Sequence, residues 1–341
     1  MAACSWSCSS PARWRSSRWA GSSFRIRLLK GALEAYQHHR PGDALKRSRR
    51  CLALRPLPPL RPIAFQVCGL AHSALGAVSE AERCFRAALE SPSPGVQARS
   101  AVLLAGLAHR DGRLKEAREL LLRGREDPST RRDACVGLVE LLINEGDFDR
   151  ARMELKGAQT TLALPDPGRE LESQGLLRFL GALLEIEESR PAAAKRLLEE
   201  ASGALAKVPL LALRLDVARA VVGALEHPAS ALAALKAADA RLAECGEDRT
   251  SRLASEMLLA RGYVLAGAHP DAERVLGAVL ASDPPRIVLP EVHVLLAECA
   301  SARGDPESSE RSLREAVRAG VETRFASLAR QRLSGVGCEA S

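Results

Sequence analysis

Few residues in this 341-residue sequence have types and spacings that suit catalysis. Cys68 and His72 are four residues apart, so on a helix they would share one face, as a thiol nucleophile and its general base must. Both also fall where helices of a repeat would pack, and we therefore predict buried structural roles for them. Paired carboxylates suited to acid–base chemistry are expected on a solvated face instead: Glu187–Glu188, Glu199–Glu200, and Glu170 with Glu172.

Motifs for metals and cofactors are missing from the sequence. The nine cysteines are dispersed without a CxxC pair, which predicts buried thiols in a reducing compartment rather than a metal site or a disulfide framework. Adjacent His38 and His39 would point about 100° apart on a helix, so we expect a solvated helix end rather than a metal site. Phosphate-binding, zinc-protease and serine-hydrolase motifs are absent as well. We predict a protein that is not an enzyme, with no catalytic residue, metal or cofactor.

Positive charge is concentrated at the start of the chain. Residues 1–62 contain 13 basic and two acidic side chains, whereas the remainder contains 36 basic and 40 acidic ones. A nucleic-acid-binding protein more often spreads positive charge over its folded body, so we predict no nucleic-acid partner. The densest basic run could contact anionic lipid or nucleic acid, although a solvated outer face is favoured. This basic patch consists of Lys46, Arg47, Arg49 and Arg50.

The first 25 residues differ from the rest of the chain. They contain all three Trp residues, many Ser and Arg residues, and no acidic residue. Three interpretations stay open: a disordered basic arm, a transit peptide, or a hydrophobic membrane anchor read in the wrong frame. We accordingly expect a cytoplasmic protein or, as the alternative, one held at the cytoplasmic face of a bacterial inner membrane. Elsewhere, no stretch approaches 18 apolar residues without charge.

One spacing recurs eight times from residue 28 onward. A small residue is followed four residues later by a larger, usually apolar one and three residues after that by another small one, which places all three on one helix face. The small side chains let a neighbouring helix approach, and glycines at 42, 76, 112, 146, 267 and 304 are expected to turn the chain before six of these eight helices. The first small residues are Ala44, Ala81, Ala117, Ala151, Ala194, Ala231, Ala272 and Ser309.

This pattern resembles the tetratricopeptide repeat (TPR), most clearly over residues 62–94 with Gly69, His72, Ala81 and Phe85. The resemblance implies an all-α fold, a right-handed α-α superhelix (solenoid) of about eight helical hairpins over residues 26–319. A capping helix and tail would follow over residues 320–341. The early Trp of the family is missing throughout, and units five and six, within residues 160–250, match the pattern least.

The resemblance also implies a concave groove that binds a protein or peptide partner. Family groove positions correspond to Arg99, His109, Arg110, Glu140, Asn144, Met257, Arg261 and Glu298. The Lys and Asn residues that clamp a ligand carboxylate in some members are replaced by Leu29, Leu33, Gln66 and Leu70, which favours an apolar ligand near units one and two. We predict a protein-binding scaffold or, alternatively, a membrane-tethered assembly or regulatory factor. The sequence leaves the oligomeric state open.

Overall fold

The computed structural model describes residues 20–161, 167–206, 209–244 and 249–339. Within these ranges the chain forms seventeen α-helices, one short 3-10 helix (Arg286–Val288) and no strands. The helices are α1 (Ala20–Gln37), α2 (Pro41–Ala53), α3 (Arg61–Ala74), α4 (Val78–Leu89), α5 (Pro94–Arg110), α6 (Leu114–Arg125), α7 (Arg131–Glu145), α8 (Phe148–Thr161), α9 (Pro167–Glu187), α10 (Pro191–Leu205), α11 (Pro209–Glu226), α12 (Pro228–Glu244), α13 (Arg249–Leu265), α14 (His269–Leu280), α15 (Leu289–Ala302), α16 (Pro306–Arg318) and α17 (Arg324–Glu339).

Consecutive helices pair into eight hairpins, from α1–α2 to α15–α16, and α17 follows as a single helix. This confirms the predicted all-α array of helical hairpins. The first small residue of every unit is buried on the second helix of its hairpin, from Ala44 on α2 to Ser309 on α16. The larger residue four positions later is also buried in every unit, including Ser48 in the first and Phe85 in the second. Units five and six form complete hairpins although their sequence pattern is weak.

The α3–α4 hairpin shows why the small positions matter. A Cβ atom built on Gly69 of α3 would lie 2.5 Å from the Phe85 ring of α4, well inside the roughly 3.5–4 Å of favourable carbon–carbon contact. The Phe85 side chain is 1% exposed, so its ring is enclosed on all sides. The absence of a side chain at Gly69 is therefore what admits a full aromatic ring between the two helices.

Five of the six predicted turn glycines hold left-handed backbone, with φ between 71° and 82°: Gly76, Gly112, Gly146, Gly267 and Gly304. The prediction was wrong for Gly42, because Pro41 already begins α2 and leaves Gly42 inside its first turn. His39 takes the left-handed position there, at φ 55°, and Ser189 does so between α9 and α10, at φ 56°. Non-glycine residues are strained in this conformation.

The chain divides into two compact units. Unit 1 consists of the residues up to Ala108 together with Lys115–Ala134, and unit 2 of His109–Leu114 together with the residues from Cys135 onward. In unit 1, Val67 and Phe85 belong to apolar clusters between successive hairpins. In unit 2, the largest apolar cluster extends from α9 to α15 and includes Leu198, Leu235 and Tyr263. Each unit therefore has its own buried core.

One end of the array differs somewhat from the expected boundaries. Helix α1 begins at Ala20, inside the segment 1–25 that we expected to precede the array, and residues 1–19 lie outside the described ranges. Helix α17 begins at Arg324 and continues to Glu339, within the segment 320–341 expected to hold the capping helix and tail. Among the helices described, none is long and apolar enough to cross a membrane.

Candidate interaction surface

The predicted groove residue Arg261 lies at the centre of a charged cluster in unit 2. Its guanidinium, on α13, forms ion pairs with Glu187 at the end of α9 and Glu291 at the start of α15. Arg324, the first residue of α17, pairs with Glu187 as well. All four side chains are at most 19% exposed. We call these four residues the buried charge cluster.

The opposite charges of this cluster stabilise one another. Burial on its own would raise the pKa of Glu187, but the nearby guanidinium groups of Arg261 and Arg324 outweigh it and lower that pKa. Burial likewise opposes the charge of Arg261, yet Glu187 and Glu291 raise its pKa. The Phe325 ring adds cation–π contacts, with its centroid 5.2 Å from the Arg261 guanidinium and 4.5 Å from that of Arg324. The ion pairs within the cluster thus offset the burial of Glu187 and Arg261.

The segment before α17 closes over this part of unit 2. A Cβ atom on Gly112, in the turn between α5 and α6, would lie 2.6 Å from the Val321 side chain. One on Gly146, in the turn between α7 and α8, would lie 3.2 Å from the Cβ of Arg324. Residues 321–325 therefore contact the turns of two hairpins while Arg324 and Phe325 reach the buried charge cluster. Arg261 is held by the chain's own C-terminal region.

Other predicted groove residues are also engaged within the fold. Met257 is 6% exposed and belongs to the large apolar cluster of unit 2. Glu298 on α15 accepts a hydrogen bond of 2.8 Å from Arg332 on α17. Arg99 and Arg110, both on α5, are half-buried. Met257 therefore has almost no surface to offer a ligand, and Glu298 already has a cationic partner.

A polar patch remains on the first helices of two neighbouring hairpins. The Asn144 amide of α7 donates to Nε2 of His109, at the end of α5, over 2.9 Å. Burial lowers the pKa of His109, opposed in part by the charge of Glu140, so the ring is neutral and can accept this bond. Glu140 precedes Asn144 by one helical turn and is exposed. The structure thus brings three predicted groove residues together, and we call His109, Glu140 and Asn144 the polar patch.

The basic patch is exposed, which suits a solvated outer face and a contact with anionic lipid alike. All four of its residues are exposed on α2. Arg47 donates to the Gly31 carbonyl over 3.3 Å, and the Arg50 guanidinium lies 5.8 Å from the Phe24 ring centroid. Adjacent His38 and His39 are exposed too, at the end of the first helix of the hairpin. These observations agree with a solvated outer face.

The residues proposed for an apolar groove near units one and two are only partly accessible. Leu29 is 7% exposed and packs in the core of unit 1. Gln66 is fully buried, and its amide donates to the Val96 carbonyl over 3.0 Å and to the Ser100 hydroxyl over 2.9 Å. Both residues face the next hairpin rather than a ligand. The other two proposed residues, both leucines, are half-buried, so an apolar ligand at this place stays a prediction that rests on them.

Folding brings a third residue to Cys68 and His72. Cys84 on α4 completes a group whose sulfur and nitrogen atoms all lie within 4.8 Å of one another. A hydrogen bond from Cys84 lowers the pKa of Cys68 to about 7 against the opposing effect of burial, and the same contact raises the pKa of Cys84. Cys84 was not among the predicted residues, because it lies 12 residues beyond His72, on another helix. Its position three residues after Ala81, on the face toward α3, was the available signal.

Solved structures with the same architecture were found, although sequence comparisons found no match. No family model matches the chain, and no curated protein matches it in sequence. A Rap protein complexed with Competence and Sporulation Factor matches in structure with a TM-score of 0.62 and 11% identity, over 88% of this chain and 98% of that one. The apo quorum sensor NprR from B. thuringiensis matches with a TM-score of 0.60 and 12% identity, over 86% and 87%. The chain is a TPR-like helical-repeat protein.

A third structural match shows how widely the ligands of this fold vary. The human IFIT1 dimer with m7Gppp-AAAA has a TM-score of 0.56 and 16% identity to this TPR-like protein, over 91% of this chain and 72% of that one. The Rap structure contains Competence and Sporulation Factor, and the IFIT1 structure contains m7Gppp-AAAA. At these identities the likeness is one of fold, so the ligand class has to be argued from the side chains of this chain.

Proposed function

We propose that the protein is a scaffold without catalytic activity that binds a protein or peptide partner through the polar patch of unit 2. The observation that supports this most directly is the exposed carboxylate of Glu140 on α7. Glu140 shares a helix face with Asn144, and Asn144 is hydrogen-bonded to His109 on α5. Two first helices thereby present a continuous polar surface. The bond between Asn144 and His109 fixes its geometry before any partner binds, which limits the entropy lost on binding.

The charge of this surface favours a polypeptide over a nucleic acid. Glu140 is a hydrogen-bond acceptor and an anion, so it attracts Arg or Lys side chains and repels phosphate groups. Glu298, the other predicted acidic groove residue, pairs with Arg332, so these two charges offset each other. We therefore propose a partner segment that carries a basic side chain opposite Glu140.

Affinity capture with the full-length chain tests this proposal. Glu140→Lys reverses the exposed charge of the polar patch. Glu199→Lys makes the same change at an exposed position on α10, the second helix of a hairpin in the same unit. We expect one discrete protein retained by wild type and Glu199→Lys and lost by Glu140→Lys. Equal retention by both variants would contradict binding at the polar patch, and recovery of nucleic acid instead of protein would contradict the partner class.

For location we propose the cytoplasm. The support is a set of buried free thiols, since reducing compartments keep such groups unpaired. They are Cys51, Cys68, Cys84, Cys135 and Cys299. Fractionation of the source cells should recover the chain in the soluble fraction at physiological salt. Recovery in the membrane fraction, resistant to high salt, would favour the membrane-tethered alternative.

A further inference from the structure

The α3–α4 hairpin of unit 1 places three metal-binding side chains around one point. Cys68 and His72 are one turn apart on α3, and Cys84 faces them from α4. Their donor atoms, two sulfurs and one imidazole nitrogen, all lie within 4.8 Å of one another. The three residues are 3%, 5% and 8% exposed, so the donors converge inside the protein.

The distances between these three donor atoms suit an ion with tetrahedral coordination. Zinc binds thiolate sulfur at about 2.3 Å and imidazole nitrogen at about 2.0–2.1 Å, which sets neighbouring donors roughly 3.4–3.8 Å apart. Donors that already lie within 4.8 Å need to close by only about 1 Å, which side-chain rotation can supply. Two thiolates and an imidazole form a soft ligand set, which favours Zn²⁺ over hard cations such as Mg²⁺ or Ca²⁺.

We propose that Cys68, His72 and Cys84 bind one Zn²⁺ ion, whose fourth position is taken by water or a donor from outside the hairpin. Binding releases the two thiol protons to solvent, and the two resulting thiolates balance the charge of the ion.

Arg49 provides a further test of the role of His72. Its guanidinium contacts Nε2 of His72 at 3.2 Å. A neutral imidazole has one lone pair, so once either ring nitrogen binds zinc the ring can no longer accept from Arg49. Zinc binding must therefore break this contact. Arg49→Ala removes the competing bond from an exposed residue, and we expect zinc affinity to rise by roughly two- to tenfold.

Cobalt titration of the reduced, metal-free full-length chain tests the site. We expect the thiolate-to-cobalt charge-transfer absorption to saturate at one equivalent and to be abolished by added Zn²⁺. Cys84→Ala should weaken the affinity by more than about 100-fold, because it removes a direct ligand. Cys51→Ala is the matched control, since Cys51 is also buried in unit 1 and Ala occupies the corresponding position of the next repeat, at Ala88. Circular dichroism checks that both variants fold.

Three results would overturn the proposal. The first is an absorption of equal strength in wild type and Cys84→Ala, which would assign the bound metal to other cysteines. The second is unchanged affinity in Arg49→Ala, which would remove His72 from the ligand set. The third is a Cys68–Cys84 disulfide in protein isolated without reductant, followed by no cobalt absorption after reduction.

Discussion

The close contact between α3 and α4 makes a quantitative prediction for Gly69→Ala. In an unobstructed helix this change stabilises by about 1 kcal/mol, because Ala loses less backbone entropy than Gly on folding. Here the new Cβ would lie 2.5, 2.7 and 3.0 Å from three atoms of the Phe85 ring. Forcing a methyl group into a filled core costs about 1–3 kcal/mol, and the enclosed ring places this site at the upper end. We therefore expect a net loss of about 1–2 kcal/mol.

A second substitution separates this clash from a general loss of stability. Unit seven has Ala260 where unit two has Gly69, and Leu276 where unit two has Phe85, with both residues fully buried. Phe85→Leu alone should cost up to about 1.5 kcal/mol. Because the Leu side chain lacks the ring atoms that meet the new methyl group, the double variant should be at least about 1 kcal/mol more stable than the two separate losses imply.

Urea denaturation followed by far-UV circular dichroism measures these changes. Gly106→Ala is the matched control, since Gly106 lies within α5 and a Cβ there would meet nothing within 4 Å. That variant should be more stable than wild type by about 0.5–1 kcal/mol. If Gly69→Ala stabilised the protein to the same extent, the described approach of α3 to Phe85 would be refuted. Strict additivity in the double variant would refute the ring as the cause.

Three further predictions concern other parts of the structure. Ser189→Gly should raise the free energy of unfolding by about 1 kcal/mol in urea denaturation, since Ser189 holds left-handed backbone, whereas Gly76→Ala should lower it by a similar amount. Arg261→Ala should cost about 3–5 kcal/mol by the same measurement, because it leaves Glu291 buried without its cation and Glu187 with Arg324 alone; a loss below 1 kcal/mol would contradict the buried charge cluster. The lowered pKa of Glu187 stabilises the fold above the ordinary carboxyl pKa of about 4.3, and this stabilisation is lost as the pH falls through the lower folded-state value. Thermal unfolding of Glu187→Gln between pH 3 and 7 should therefore show a weaker dependence on pH than wild type.

The repeat pattern predicted the fold well because it records direct packing between neighbouring helices. The distance to the neighbouring helix determines which positions need a small residue such as Ala81 and which need a larger one such as Phe85. These positions are only a few residues apart, so the pattern can be recognised in the sequence. Gly42 was misassigned for an equally local reason. Pro41 is favoured at the first position of a helix, so the turn falls before it, at His39.

The candidate site was only partly predictable, because its contacts join residues far apart in sequence. Arg261 was assigned to an open groove from its repeat position, but Glu187 and Arg324, 74 and 63 residues away, enclose it. A repeat pattern contains no information about a C-terminal segment that folds back onto earlier hairpins. The polar patch was easier to predict, since His109 and Asn144 occupy related positions in consecutive units.

Direct binding of the captured partner to purified variants is the most direct test of the central claim. Isothermal titration calorimetry would compare wild type, Glu140→Lys and Glu199→Lys. We expect Glu140→Lys to raise the dissociation constant at least about fivefold, since a favourable charge contact becomes a repulsive one, and Glu199→Lys to stay within about twofold of wild type. Equal dissociation constants for all three proteins would contradict binding at the polar patch.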